Sequence, residues 1–203
     1  MYRTLTSYIE KLDTATLSEA RKGLLMPMVD YIKEKASAHR PILLNFICTH
    51  NSRRSHLAQV WAQAMAEYFK VPNIQCYSGG TEATALHSMI VQTLGNTGFK
   101  ISNEPKNDNP VYKISYSEDA PPILGFSKMY DDRANPESGF AAVMTCSQAD
   151  AGCPIVTGSE RRFSITYEDP KISDGTPQQE RIYLERSEQI AMEMKYVFSI
   201  VRS

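Results

Sequence analysis

Ile42-Leu43-Leu44-Asn45-Phe46-Ile47-Cys48-Thr49-His50-Asn51-Ser52-Arg53-Arg54-Ser55 is the stretch on which the fold turns. Its first six residues are an apolar run of strand length. Beyond it Leu57, Val60, Trp61, Ala64, Met65 and Tyr68 recur at spacings of three and four, the period of a helix with one buried face. The stretch therefore reads as strand, loop, helix, with the first helical turn at Arg54 and Ser55. Backbone N–H groups at a helix start have no partner inside the helix, and the aligned peptide dipoles add positive charge there; a tetrahedral oxyanion satisfies both. Thr49, His50, Asn51, Ser52, Arg53, Arg54 and Ser55 are accordingly the candidate anion-binding residues. Arg54 completes the pattern C-x5-R and can offer two parallel N–H donors to one anion. The same field favours the thiolate of Cys48, whereas an ordinary thiol with a pKa of about 8.5 is only ~3% ionised at pH 7. Asn51 is placed to hold the loop and Ser55 to hydrogen-bond the sulfur.

Composition narrows the class. At 203 residues, 42% hydrophobic and 22% charged, the chain can bury a sizeable core as one domain spanning 1–203. A formal charge of -1 argues against a nucleic-acid or membrane-surface binder, so positive potential for an anion must be local. No charged start leads into an apolar signal core and no apolar run approaches about 18 residues, so the expected location is the cytoplasm. Four cysteines with no C-x2-C pair fit neither a secreted disulfide scaffold nor a zinc site, and no metal is expected.

Outward from the cysteine loop, Ile74-Gln75-Cys76-Tyr77 reads as a second strand ending at Ser78-Gly79-Gly80-Thr81, with Cys76 a small core residue. Phe140 to Thr145 reads as a third strand and Phe163 to Tyr167 as a fourth. Leu86, Met89, Ile90 and Leu94 mark a helix between the second and third strands. Thr176 and Pro177 are expected to open the last helix, which carries Ile190, Met194, Val197 and Val201. Strands alternating with helices give an α/β, flavodoxin-like open sheet of about four parallel strands with helices on both faces. Two parts lie outside that frame. Residues 1–40 form a helical extension, with a capping box at Thr16-x-x-Glu19 and a kink at Pro27, docked on the core or on another subunit. Residues from about 105 to 138 form a hairpin-like insertion. The extension leaves a homo-oligomer open.

In an open α/β sheet, ligands bind beyond the carboxyl ends of the strands. Cys48, Ser78, Cys146 and Asp169 follow the four strands in turn, so all four fall on one rim. An acid at Asp169 of Asp169-Pro170 can protonate the oxygen leaving as Cys48 attacks.

The cysteine loop, Tyr77-Ser78-Gly79-Gly80-Thr81-Glu82, Gly98-Phe99-Lys100-Ile101-Ser102 and the segment Val143–Pro170 resemble the low-molecular-weight protein tyrosine phosphatase superfamily, which includes the thioredoxin-coupled arsenate reductases. The resemblance covers about two-thirds of the chain. It implies Cys48 as nucleophile, Arg54 as oxyanion ligand, Asp169 as general acid, and a hydrogen bond from Ser78 to Asn51. Cys146-Ser147-Gln148-Ala149-Asp150-Ala151-Gly152-Cys153-Pro154 separates the two activities. A phosphatase needs one cysteine, while a reductase must supply two electrons to arsenate, and thiols supply them by ending as a disulfide. Cys146 is then the second thiol and Cys153 the third, with thioredoxin as reductant and no tightly bound cofactor. His50 stands where the family usually has glycine, Arg53 where the reductases often carry cysteine, and Lys171-Ile172 where tyrosine phosphatases tend to place aromatics. Three functions are therefore expected in this order: arsenate reductase, protein tyrosine phosphatase, and a noncatalytic oxyanion or redox sensor.

Overall fold

The computed structural model describes residues 1–103, 108–153 and 155–202. Helices α1 (Arg3–Lys11) and α2 (Glu19–Ser37) lead into strand β1 (Ile42–Cys48), helix α3 (Arg54–Tyr68), strand β2 (Ile74–Gly80) and helix α4 (Ser88–Asn96). Three short strands follow: β3 (Lys100–Asn103), β4 (Tyr112–Ser115) and β5 (Ile123–Gly125). The chain returns through β6 (Phe140–Met144), the short helix α5 (Ser147–Gly152), β7 (Ser159–Ser164) and the long α6 (Gln179–Arg202).

The main sheet is parallel throughout, in the order β2-β1-β6-β7. Its central strands β1 and β6 are apolar because both faces are covered. Leu44, Phe46, Ala141 and Val143 face the cluster built with α1, α2, α3, α4 and α6, around Trp61, Tyr183 and Phe198. Ile47, Ala142 and Met144 face a thinner layer formed by α5, Tyr130 and Val156. The second sheet, β3-β4-β5, is antiparallel; the anticipated hairpin is present and Lys100–Asn103 adds a third strand.

The N-terminal extension docks on its own chain. Leu5 and Ile9 are fully buried, Tyr8 stacks on Trp61 at 5.9 Å, and the Trp61 indole donates to Ser187 Oγ at 2.9 Å. Gly98, at φ +109°, lets the backbone of Leu5 approach so closely that a Cβ there would sit 2.7 Å from its nitrogen.

Three local expectations shift. The cap of α2 is Ser18, whose Oγ accepts from Arg21 N–H, and Thr16 instead ends a 3₁₀ turn. The last helix begins at Gln179, two residues after Pro177. The fourth strand covers Ser159–Ser164 rather than Phe163–Tyr167. Being at the sheet edge, it starts in the exposed polar run Ser-Glu-Arg, which carries no apolar signal.

Candidate active site

β1 delivers Cys48 to the carboxyl rim of the sheet, and α3 starts six residues later at Arg54. The loop between them is anchored from several directions. Asn51 lies in the left-handed region at φ +44° and is fully buried. Its Nδ2 donates to Ser55 Oγ at 2.9 Å, and its Oδ1 accepts from Lys128 N–H at 3.0 Å. Ser55 Oγ lies 3.1 Å from Cys48 Sγ. Since Asn51 already donates to that hydroxyl, the single Ser55 hydrogen is free to point at the sulfur.

Gly80 lets β2 approach the loop closely: a Cβ there would meet Thr49 O at 2.7 Å and Asn51 N at 2.8 Å. Thr81 N–H donates to Cys48 O at 3.1 Å, Glu82 N–H to Thr49 O at 2.8 Å, and His87 N–H to Ser52 O at 3.1 Å. The insertion adds Ser127 Oγ, donating to His50 O at 2.8 Å. Sequence reasoning assigned no role to Ser127 and Lys128, and with partners 77 residues away no local signal could have found them.

Arg54 is 7% exposed. One terminal nitrogen donates to Tyr167 O at 3.1 Å and the other to Asp169 Oδ2 at 2.6 Å. Its Nε is buried without a partner, an orphaned donor of the kind an oxyanion satisfies. Asp169 also accepts from Lys171 N–H at 3.0 Å, which fixes its carboxylate across the loop mouth.

Cys146 is fully buried at the start of α5, where its sulfur accepts from Ala149 N–H at 3.4 Å. It lies 3.4 Å from Thr49 Oγ1, the residue after Cys48, because β1 and β6 run in parallel register with Ile47 opposite Met144. Cys153 is half-buried at the other end of α5. Pro154 lies outside the described residues. Cys76 is buried in β2, and burial pushes its thiol pKa well up, so it stays a neutral core side chain.

Two residues are placed differently from expectation. Arg53 turns away from the loop: its Nε donates to Tyr183 OH at 2.6 Å and its Nη2 to Asp174 Oδ2 at 2.6 Å. Tyr183 OH in turn donates to Asp174 Oδ1 at 2.5 Å and stacks on His87, so Asp174 belongs to a brace that the sequence did not suggest. Ser78 does not reach Asn51; its hydroxyl pairs with His56 Nδ1 at 3.3 Å. His56 is fully buried, and burial, with Lys128 nearby, lowers its pKa to about 3, so the ring is neutral. His50 is half-buried, its Nε2 3.4 Å from Glu82 Oε2.

A parallel sheet of this order with a C-x5-R loop at its carboxyl rim is the fold of the low-molecular-weight protein tyrosine phosphatases. Among solved structures, a YwlE mutant from Bacillus subtilis superposes with a TM-score of 0.53 at 13% identity, covering 80% of this chain and 99% of that one. A low-molecular-weight phosphotyrosine phosphatase from Vibrio cholerae O395 gives 0.52 at 12% identity, covering 78% and 95%. No family model matches the chain. In sequence, it is 27% identical over 125 residues to arsenate reductase 2 of Staphylococcus epidermidis, covering 62% of this chain and 76% of that protein. It is also 27% identical over 145 residues to the arsenate reductase of Bacillus subtilis, covering 71% and 85%. The chain thus resembles the low-molecular-weight phosphatase superfamily and, within it, the arsenate reductases.

Proposed function

We propose that this protein is an arsenate reductase with a three-cysteine relay regenerated by thioredoxin. The observation that carries the reading is the pairing of Cys146 Sγ with Thr49 Oγ1, which sets a second buried thiol beside the nucleophile's loop. Similarity to named arsenate reductases supports it.

An arriving arsenate takes up the orphaned Nε of Arg54 and the loop amides, displacing Asp169 from the guanidinium and leaving that acid beside an arsenate oxygen. Cys48 thiolate attacks arsenic, and an oxygen leaves as water with a proton from Asp169. Cys146 thiolate then attacks Cys48 sulfur. A disulfide forms, the sulfur–arsenic bond breaks, and its electron pair stays on arsenic, which departs as arsenite. Cys153 attacks Cys146 sulfur, freeing Cys48 as thiolate and leaving the Cys146–Cys153 disulfide for the dithiol of thioredoxin. Seven helical residues rise by about 10 Å, beyond the ~7 Å that a disulfide tolerates between Cα atoms, so this last exchange unwinds α5.

A phosphatase would use Cys48, Arg54 and Asp169 alone. With thioredoxin, thioredoxin reductase and NADPH, arsenate-dependent NADPH oxidation is expected, falling at least ~100-fold in both Cys146→Ser and Cys153→Ser. Hydrolysis of an aryl phosphate that neither change affects, with no arsenate-dependent oxidation, overturns the reductase reading in favour of the phosphatase.

A further inference from the structure

A cleft of about 640 Å³ lies between the edge strand β2, one face of α3 and the insertion, away from the mouth of the cysteine loop. Lys128 lines it. That side chain is 5% exposed, and its ammonium sits 4.5 Å from the centroid of the Phe126 ring with no carboxylate in ion-pair range among the described residues. Burial lowers its pKa to about 8, partly offset by the charge of Asp132. A buried ammonium without a hydrogen-bonded anion is costly, and native interiors pair such groups. Gln59, also 5% exposed, lines the same cleft; its Nε2 is committed to Cys76 O at 3.0 Å and its Oε1 is enclosed without a partner. The walls are Tyr116, Pro122, Ile123 and Phe126.

An unpaired cation, an unpaired acceptor and aromatic walls define an occupant: an anionic head, a neighbouring O–H or N–H donor, and a flat apolar body. We propose that this cleft binds a small aromatic monocarboxylate, its carboxylate on Lys128, a neighbouring hydroxyl or amino group on Gln59, and its ring along Phe126 and Tyr116. Glu67 and Asp119 also line the cleft, Glu67 lying two turns along α3 from Gln59, so a second negative charge on the ring is rejected. The site lies apart from Cys48, although the backbone N–H of Lys128 also braces the cysteine loop through Asn51.

Calorimetric titration of the full chain with phenyllactate, phenylacetate and benzylamine tests this. Phenyllactate is expected to bind, phenylacetate more weakly for want of the hydroxyl, and benzylamine not at all. Lys128→Met should weaken phenyllactate about tenfold or more, the usual loss for a hydrogen bond to a charged group. Ala120→Trp, which fills the mouth and leaves Lys128 in place, should abolish binding, with circular dichroism confirming the fold. No binding of phenyllactate to the unaltered protein, benzylamine binding as tightly, or undiminished phenyllactate affinity in Ala120→Trp overturns the assignment.

Discussion

Asn51 holds the cysteine loop through both ends of one amide. It accepts the buried Lys128 N–H, donates to the serine beside the nucleophile, and occupies a backbone region that alanine disfavours. Asn51→Ala should therefore cost about 2–4 kcal/mol in urea unfolding, the sum of one unsatisfied buried donor and the strain at positive φ. Asn51→Gly should recover about 1 kcal/mol of that, the conformational share. At this scale the sequence was legible where chemistry is local. Cys48 ends β1 while Arg54 and Ser55 open α3 a few residues on, and residue type and spacing alone bring them together. Arg53 was not legible, because one residue along a chain entering a helix turns a side chain by about 100°. The partners that decide its direction, Asp174 and Tyr183, are 121 and 130 residues away. Ser78 failed for the same reason: its partner is set by which face of α3 turns towards β2.

Among the elements, the joint between α2 and α6 governs the Asp169 loop. Glu193 of α6 is fully buried, accepts from Arg21 of α2 at 2.6 Å, and accepts from Tyr167 OH at 2.8 Å. Burial first, then the Glu193 carboxylate, raises the Tyr167 pKa well above its ordinary value, so the hydroxyl keeps its proton and donates. Arg21 further donates to Thr166 O at 3.1 Å, three residues before Asp169. Arg21→Met leaves Glu193 buried without its cation and is expected to cost about 3–5 kcal/mol in chemical denaturation. The helices themselves were readable from their apolar period, and so were the two central strands, whose burial on both faces makes them continuous apolar runs. Edge strand β7 was misplaced because its exposed start looks like a loop. Its inward residues Phe163, Ile165 and Tyr167 carry the apolar signal, and Ile165 N–H and Tyr167 N–H extend the pairing to Met144 O and Thr145 O beyond the strand proper.

For the whole molecule, His56 sets an acid limit. Its folded pKa of about 3 lies below the ordinary 6.5, so between these values the unfolded chain binds a proton that the folded chain refuses. The stability is complete above pH ~6.5 and is lost as pH falls towards ~3, at up to about 1.4 kcal/mol per pH unit from this group. His87, lowered chiefly by burial and next by Arg53, acts in the same direction. His56→Gln should flatten the slope in urea unfolding followed from pH ~7 to ~5. The brace from Ser127 and Lys128 carries a consequence for synthesis. A ribosome that has released only β1, α3 and β2 presents a loop still missing those two clamps. Cys48 on the nascent polypeptide is then open to solvent, whereas in the folded chain it is 3% exposed, and its trapping by a maleimide should fall once the insertion and β6 have emerged and packed.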